Sequence, residues 1–337
     1  MSRRYKGGVT SATAPVPTGP YQCGTANGIW TLPQQMQSTA AGTWPTAGNL
    51  APGTIAIFAL GNAGGVTTTR DKYTFSGCVV TSGAAASNAS SLGSAAGTSS
   101  VGIFALGYTT AGTTTRNKYT YSGCTSAAAT AATAASYNGA AAGNATRGIF
   151  ALGRTPSQST TRNKYTYSGD VNAVATASSA ASTGGAAAGT CTFGIFAIGG
   201  CPCLCNVFRN KYTYSSCTNA GATASSAGSC SGSAAGNATV GIFALGTVSC
   251  VRSTTRDKYT YSGCVSAAAT ASSTASTAGA AAGNATLGIF ALGSTSPSSA
   301  TRNKYTYSGD VNAVATAASA TSSSGAAASN GTTGVNV

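Results

Sequence analysis

The amino-acid sequence predicts an all-β protein, a β-propeller of repeated four-stranded blades, and three observations predict it. A core of the form Gly-Ile-Phe-Ala-Leu-Gly returns with its Phe at Phe58, Phe104, Phe150, Phe196, Phe243 and Phe290, in steps of 46, 46, 46, 47 and 47 residues. Repeats of this length mark a supersecondary unit that buries its faces against its neighbours. Each unit also holds short apolar or alternating segments of strand type. Finally, charged residues make up only 7% of the chain, yet it carries 15 Tyr, 9 Phe and 2 Trp, a composition that packs rather than stays disordered.

Within a unit the elements follow in order. An Ala-rich run such as Gly139-Ala140-Ala141-Ala142-Gly143 reads as an inner strand. Asn144, Asn237 and Asn284 then sit between two apolar runs, where a hairpin turn is needed. The same triplets match a glycosylation acceptor, but turn chemistry explains them. Ile149-Phe150-Ala151-Leu152, closed by Gly153, suits a strand buried on both faces. Arg116-Asn117-Lys118-Tyr119-Thr120-Tyr121-Ser122 alternates, with Arg, Lys, Thr and Ser on one side and Asn and both Tyr on the other. Most of these paired aromatics are expected to pack between blades, and the rest are suited to stacking on sugars. Ser126 to Ser136 closes the unit. Ala favours helix there, but interleaved Ser and Thr and the lack of charged i,i+4 pairs make it an outer strand.

Blade number depends on the chain ends. Six units run from Thr54 to Val337, and Gly325 to Val337 aligns with the first two strands of a further one. The stretch from Gly28 to Trp44 offers the other two. Joining both ends in one blade removes the exposed edges of a partial ring, so seven blades are expected, with six as the alternative. A solenoid fits less well, since its coils are shorter and need capping units. The chain divides into an extended leader, residues 1–45, able to lend strands to the closing blade, and a propeller, residues 46–337.

Charge excludes more than length does. There are 18 Lys and Arg against four acids, Asp71, Asp170, Asp257 and Asp310, with no Glu and no His, for a net charge of +14. General acid–base catalysis draws on the residues that are missing, and without His no hydrolase triad assembles. A non-enzymatic protein with no cofactor is expected. Twelve of the basic residues form six Arg-x-Lys pairs: Arg70/Lys72, Arg116/Lys118, Arg162/Lys164, Arg209/Lys211, Arg256/Lys258 and Arg302/Lys304. Rotational repetition would set them in a ring that attracts an anionic polymer, or in a ring of solvated strand starts whose stems cover apolar blade edges. Nucleic acid fits poorly, because the tyrosines alternate away from the charges. No apolar stretch reaches the roughly 20 residues that span a bilayer, and the basic start lacks the apolar region of a signal peptide.

The 11 cysteines sort into four at one repeat position and seven irregular ones, Cys23, Cys191, Cys201, Cys203, Cys205, Cys230 and Cys250. Cys78, Cys124, Cys217 and Cys264 share one repeat position, where units three and six carry Asp170 and Asp310; it reads as a small turn residue. Cys201-Pro202-Cys203-Leu204-Cys205 replaces a loop, and Cys250 falls in the matching loop of the next unit. A bridge between these loops is open to them. A metal site is not expected, because the spacing is unlike that of zinc ligands and no His is available.

The repeat motifs, with Ala-Ala-Gly-Asn-Ala-Thr leading into Gly-Ile-Phe-Ala-Leu-Gly and then Arg-Asn-Lys-Tyr-Thr-Tyr-Ser-Gly, resemble kelch-like repeats in virion structural proteins of tailed phages, notably those of cyanobacterial and other aquatic hosts. The opening Met1-Ser2-Arg3-Arg4-Tyr5-Lys6 and Gly28-Ile29-Trp30-Thr31-Leu32 are similar to the leaders of such proteins. One departure is that only Gly199-Gly200 keeps the Gly-Gly pair usual in kelch blades. The resemblance implies a fibre, spike or appendage assembled in the host cytoplasm. Its leader, through Arg3, Arg4, Tyr5, Trp30 and Leu32, docks on capsid, neck or tail proteins, and its oligomeric propeller contacts host-surface polysaccharide. The alternative is a capsid or tail decoration or cement protein with a purely structural role. The loops least like the consensus are the contact candidates: Tyr108 to Gly112, Arg154 to Ser159, Gly200 to Phe208, Thr247 to Ser253 and Ser294 to Ser299.

Overall fold

The alternating segments form strands throughout a computed structural model of the chain, which describes residues 33, 36, 53–200 and 206–331. Arg3, Arg4, Tyr5, Trp30, Leu32, Cys201, Cys203 and Cys205 lie outside the described residues. Twenty-seven strands make six four-stranded antiparallel sheets and one three-stranded sheet. In blade 2 the order from the centre outward is Ser94–Gly97, Val101–Ala105, Arg116–Thr120 and Thr125–Ala129. The register pairs Ala95 with Phe104, Phe104 with Asn117, and Asn117 with Ala128. Blades 3 to 6 repeat this from inner strands Ala140–Gly143, Ala186–Gly189, Ser233–Gly236 and Ala280–Gly283. The expected strand order within a unit is therefore the observed one.

Blade 1 joins the two ends of the described chain. Its inner strand, Ala326–Ser329, pairs with Ile55–Ala59, followed by Arg70–Thr74 and Val79–Gly83. Asn330 Oδ1 accepts from the Thr54 and Ile55 amides at 2.9 Å, just as Asn144 Oδ1 accepts from the Thr146 and Arg147 amides at 3.0 Å. The closing blade is thus an ordinary blade with the covalent link of its first hairpin missing.

Ring closure is also made at the axis. The amide of Asn138 donates to Leu92 O, Gly184 to Asn138 O, Ser231 to Gly184 O, Ala278 to Ser231 O, Ser324 to Ala278 O, and Leu92 back to Ser324 O, at 2.7–2.9 Å. All six residues are left-handed, with φ between 52° and 62°. The inner strands touch in the same cyclic order. The propeller-like ring of the described residues therefore has six blades, and the expectation of seven is corrected. The Ala-rich segment near the end is the inner strand that the first unit lacks, and it does not begin another blade. The seventh sheet, of Ser229–Cys230, Thr247–Val248 and Val251–Arg252, elaborates loops at the edge of blade 5.

Packing within and between blades is close enough to exclude single atoms. In blades 2 to 6 the second aromatic of the third-strand motif aims its hydroxyl at two glycines. A Cβ on Gly102 would lie 2.7 Å from Tyr121 Oη, and one on Gly97 3.2 Å from it. Blade 1 has Phe75 at the aromatic position, and both glycine positions there carry side chains, Ala56 and Ser329. Ser329 Oγ donates to Gly283 O of blade 6. Where the hydroxyl is lost, the space it took is refilled, as dense packing requires.

Candidate functional site

The third strand shows why the arginines recur. In a blade flanked by two others both faces of this strand are covered, and the burial along Arg116–Thr120 is continuous except at Lys118 and Thr120. Arg116 Nη2 donates to Asn163 Oδ1 of the next blade at 3.2 Å and Nη1 to Asn172 Oδ1 at 2.8 Å. Its guanidinium stacks 4.5 Å from the Phe150 ring centroid. The same latch joins Arg70 to Asn117, Arg162 to Asn210, Arg209 to Asp257, Arg256 to Asn303 and, closing the ring, Arg302 to Asp71. The last of these and the Arg209–Asp257 contact are ion pairs at 2.7 Å. Burial lowers the pKa of Arg70, Arg116, Arg162 and Arg256 to about 10, which leaves them charged at neutral pH.

These six arginines, at most 2% exposed, are not available to an external polyanion. The expected basic ring is corrected in its Arg half, and the solvated reading of those positions is corrected with it. Sequence alternation had put Arg and Tyr on opposite sides correctly, but opposite sides here face opposite neighbouring blades and neither faces water. The lysines Lys72, Lys118, Lys164, Lys211, Lys258 and Lys304 are half-buried. Several reach the turn of the next blade: Lys118 to Asp170 at 3.7 Å, Lys258 to Asp310 at 3.3 Å and Lys72 to Cys124 Sγ at 3.6 Å. Lys211 sits over the Phe193 ring.

The shared Cys/Asp position is a turn, as read from its tolerance. Cys78, Cys124, Asp170, Cys217, Cys264 and Asp310 all have φ between 48° and 54°. The sequon asparagines are turn caps: Asn144 Nδ2 donates to Cys191 O of the adjacent blade, Asn237 Nδ2 to Ala285 O, and Asn284 Nδ2 to Gly53 O. Cys250 is disulfide-bonded, and so is Cys191, another of the irregular cysteines. Among the described residues no three His, Cys, Asp or Glu side chains converge as metal ligands do.

Antiparallel order puts the hairpin turns on one end of the ring and the long loops on the other. The loops after the second strands and the connections between blades therefore share one face, together with the axial ring of hydrogen bonds. Backbone bridges pair the two kinds of loop at five of the six seams, as Ser91 with Tyr108 and Tyr137 with Arg154. At the six loop positions stand Asn62, Tyr108, Arg154, Gly200, Thr247 and Ser294, and at the six connection positions Ser91, Tyr137, Thr183, Cys230, Thr277 and Ser323. Large side chains cluster at one seam, between blades 2 and 3. Tyr108 and Tyr137 meet edge to face at 5.4 Å, and Arg154 lies 5.9 Å from the Tyr137 centroid. An open groove of about 510 Å³ runs beside them, lined also by Thr110, Thr155 and Pro156. The loop candidates held Tyr108 and Arg154 but missed Tyr137. Its signal was present as an aromatic in a connection position where every other unit has a small residue or Cys. No protein-family profile and no curated protein sequence matches the chain.

Proposed function

We propose that this is a non-enzymatic binding protein built on a kelch-like six-bladed scaffold and, in particular, a structural protein of a tailed-phage virion whose leader docks on the particle and whose loop face attaches to host-surface glycan. One observation carries the binding role: side-chain variety is concentrated on the loop face, while the seams beneath it repeat nearly residue for residue. A rigid scaffold with variable loops is the usual arrangement of a recognition surface. Weak contacts from many copies would then add through avidity. The virion setting rests on the resemblance of the repeat and leader motifs.

A decoration or cement role is favoured by a different surface. Val171, Val174, Val311 and Val314, on the outer strands of blades 3 and 6, are 52–69% exposed, an apolar rim suited to lying against a neighbouring virion protein. The test is to add fluorescently labelled protein to host cells and, separately, to particles stripped of it. Adsorption to cells supports the adhesin. Rebinding to particles without any cell adsorption overturns it in favour of the cement.

A further inference from the structure

We infer that the groove at the seam of blades 2 and 3 binds an acidic polysaccharide, seating a uronate sugar between Tyr108 and Arg154. The inference rests on the reading of the loop face as the adhesive surface and names its ligand chemistry. The groove volume, about 510 Å³, falls in the range of roughly 300–1,000 Å³ typical of small-ligand clefts. Its wall combines what a charged sugar ring needs. Tyr108 is 37% exposed and offers an aromatic surface to the apolar C–H face of a pyranose, while its edge-to-face contact with Tyr137 holds the ring in place.

Arg154 supplies the polar half. It lines the groove, its guanidinium lies 5.9 Å from the Tyr137 ring centroid, and its backbone is pinned by reciprocal bonds to Tyr137 at 2.9 and 3.1 Å. A carboxylate, which accepts in the plane of the guanidinium fork, is the natural complement of such an anchored arginine. The chain's four acids do not oppose such a ligand. Asp71 and Asp257 are buried in seam latches, and Asp170 and Asp310 lie at turns on the opposite end of the ring, beside Lys118 and Lys258. A nucleic-acid strand fits less well, because it would need a track of cations and successive stacking platforms, and the groove has one arginine and one open ring face.

The test uses the full-length protein, with binding to oligogalacturonate followed by titration calorimetry in 0.15 M salt and dextran as the neutral comparison. Tyr108→Ala and Arg154→Gln are each expected to weaken binding by about tenfold or more, with an unchanged melting temperature. Arg252→Gln, an exposed arginine of the same face, should leave it within about twofold. Equal loss from Arg154→Gln and Arg252→Gln would show that net charge is being read and would overturn the site, as would equal affinity for dextran or no binding of oligogalacturonate. Cell adsorption separates the two levels. Variants that lose the uronate but still adsorb overturn the groove's role and leave the adhesin standing. A wild type that binds the uronate but adsorbs to no host cell keeps the groove and removes the adhesin.

Discussion

A single arginine per blade stacks on an aromatic ring and bonds an Asx of the next blade, so six residues tie the ring together. The seam between blades 6 and 1 holds an ion pair, as does the seam between blades 4 and 5, and differs from every other seam at the outer strand. Its Asx is Asp71, which also accepts from the Ser319 amide at 3.0 Å. In addition, Val80 stands where the other outer strands offer Ser126, Asn172, Asn219, Ser266 and Asn312. Arg302 therefore keeps its ion pair without the second side-chain hydrogen bond that Arg209 makes to Ser266 beside Asp257. Asp71→Asn recreates the Arg–Asn latch of four other seams and is expected to change stability by no more than about 1 kcal/mol in urea unfolding. Arg302→Ala leaves a buried carboxylate unpaired and is expected to cost about 3–5 kcal/mol. If both cost the same, the charge and not the shared geometry latches the seam.

At the scale of the strand, the hairpin glycines and the tyrosine below them act as one unit. Tyr121 Oη is buried and makes no hydrogen bond, so the hydroxyl fills space without returning the cost of its desolvation. Tyr121→Phe should be neutral or stabilising by up to about 1 kcal/mol in thermal unfolding. Phe75→Tyr drives an oxygen against Ala56 and Ser329 and should cost about 1–3 kcal/mol. Adding Ala56→Gly and Ser329→Gly should recover most of that. A triple variant no more stable than Phe75→Tyr alone would show that the five Gly-Gly-Tyr sets are not interchangeable with the Ala-Ser-Phe set.

At the scale of the whole ring, the buried phenols share one direction of shift. Burial pushes the phenols of Tyr119, Tyr212 and Tyr259 up to about 12 and those of Tyr121, Tyr167, Tyr214, Tyr261 and Tyr307 well above their ordinary value. In the unfolded chain they ionise near pH 10. Between these values the folded state holds more protons than the unfolded one, so this contribution to stability is present below about pH 10 and is lost as pH rises toward 12 and beyond. An alkaline titration should show tyrosinate absorbance and loss of sheet circular dichroism in one cooperative step above pH 10. Phenols ionising near pH 10 with the sheet intact would contradict the packing.

The sequence by itself determined the repeat, the four strands and their order, because period, turn residues and alternation are local and were copied six times. Turn roles for Asn144 and Cys124 were legible for the same reason. Three outcomes belonged to the tertiary structure. Blade number depends on where the last Ala-rich strand finds a partner, and pairing with Ile55–Ala59 is a contact across the length of the chain. The arginines look like surface charge in any single unit, since nothing within a unit shows that the next one supplies both its acceptor and its stacking ring. The groove of Tyr108, Tyr137 and Arg154 draws on the loops of two successive units, and closing the ring is what sets those loops side by side.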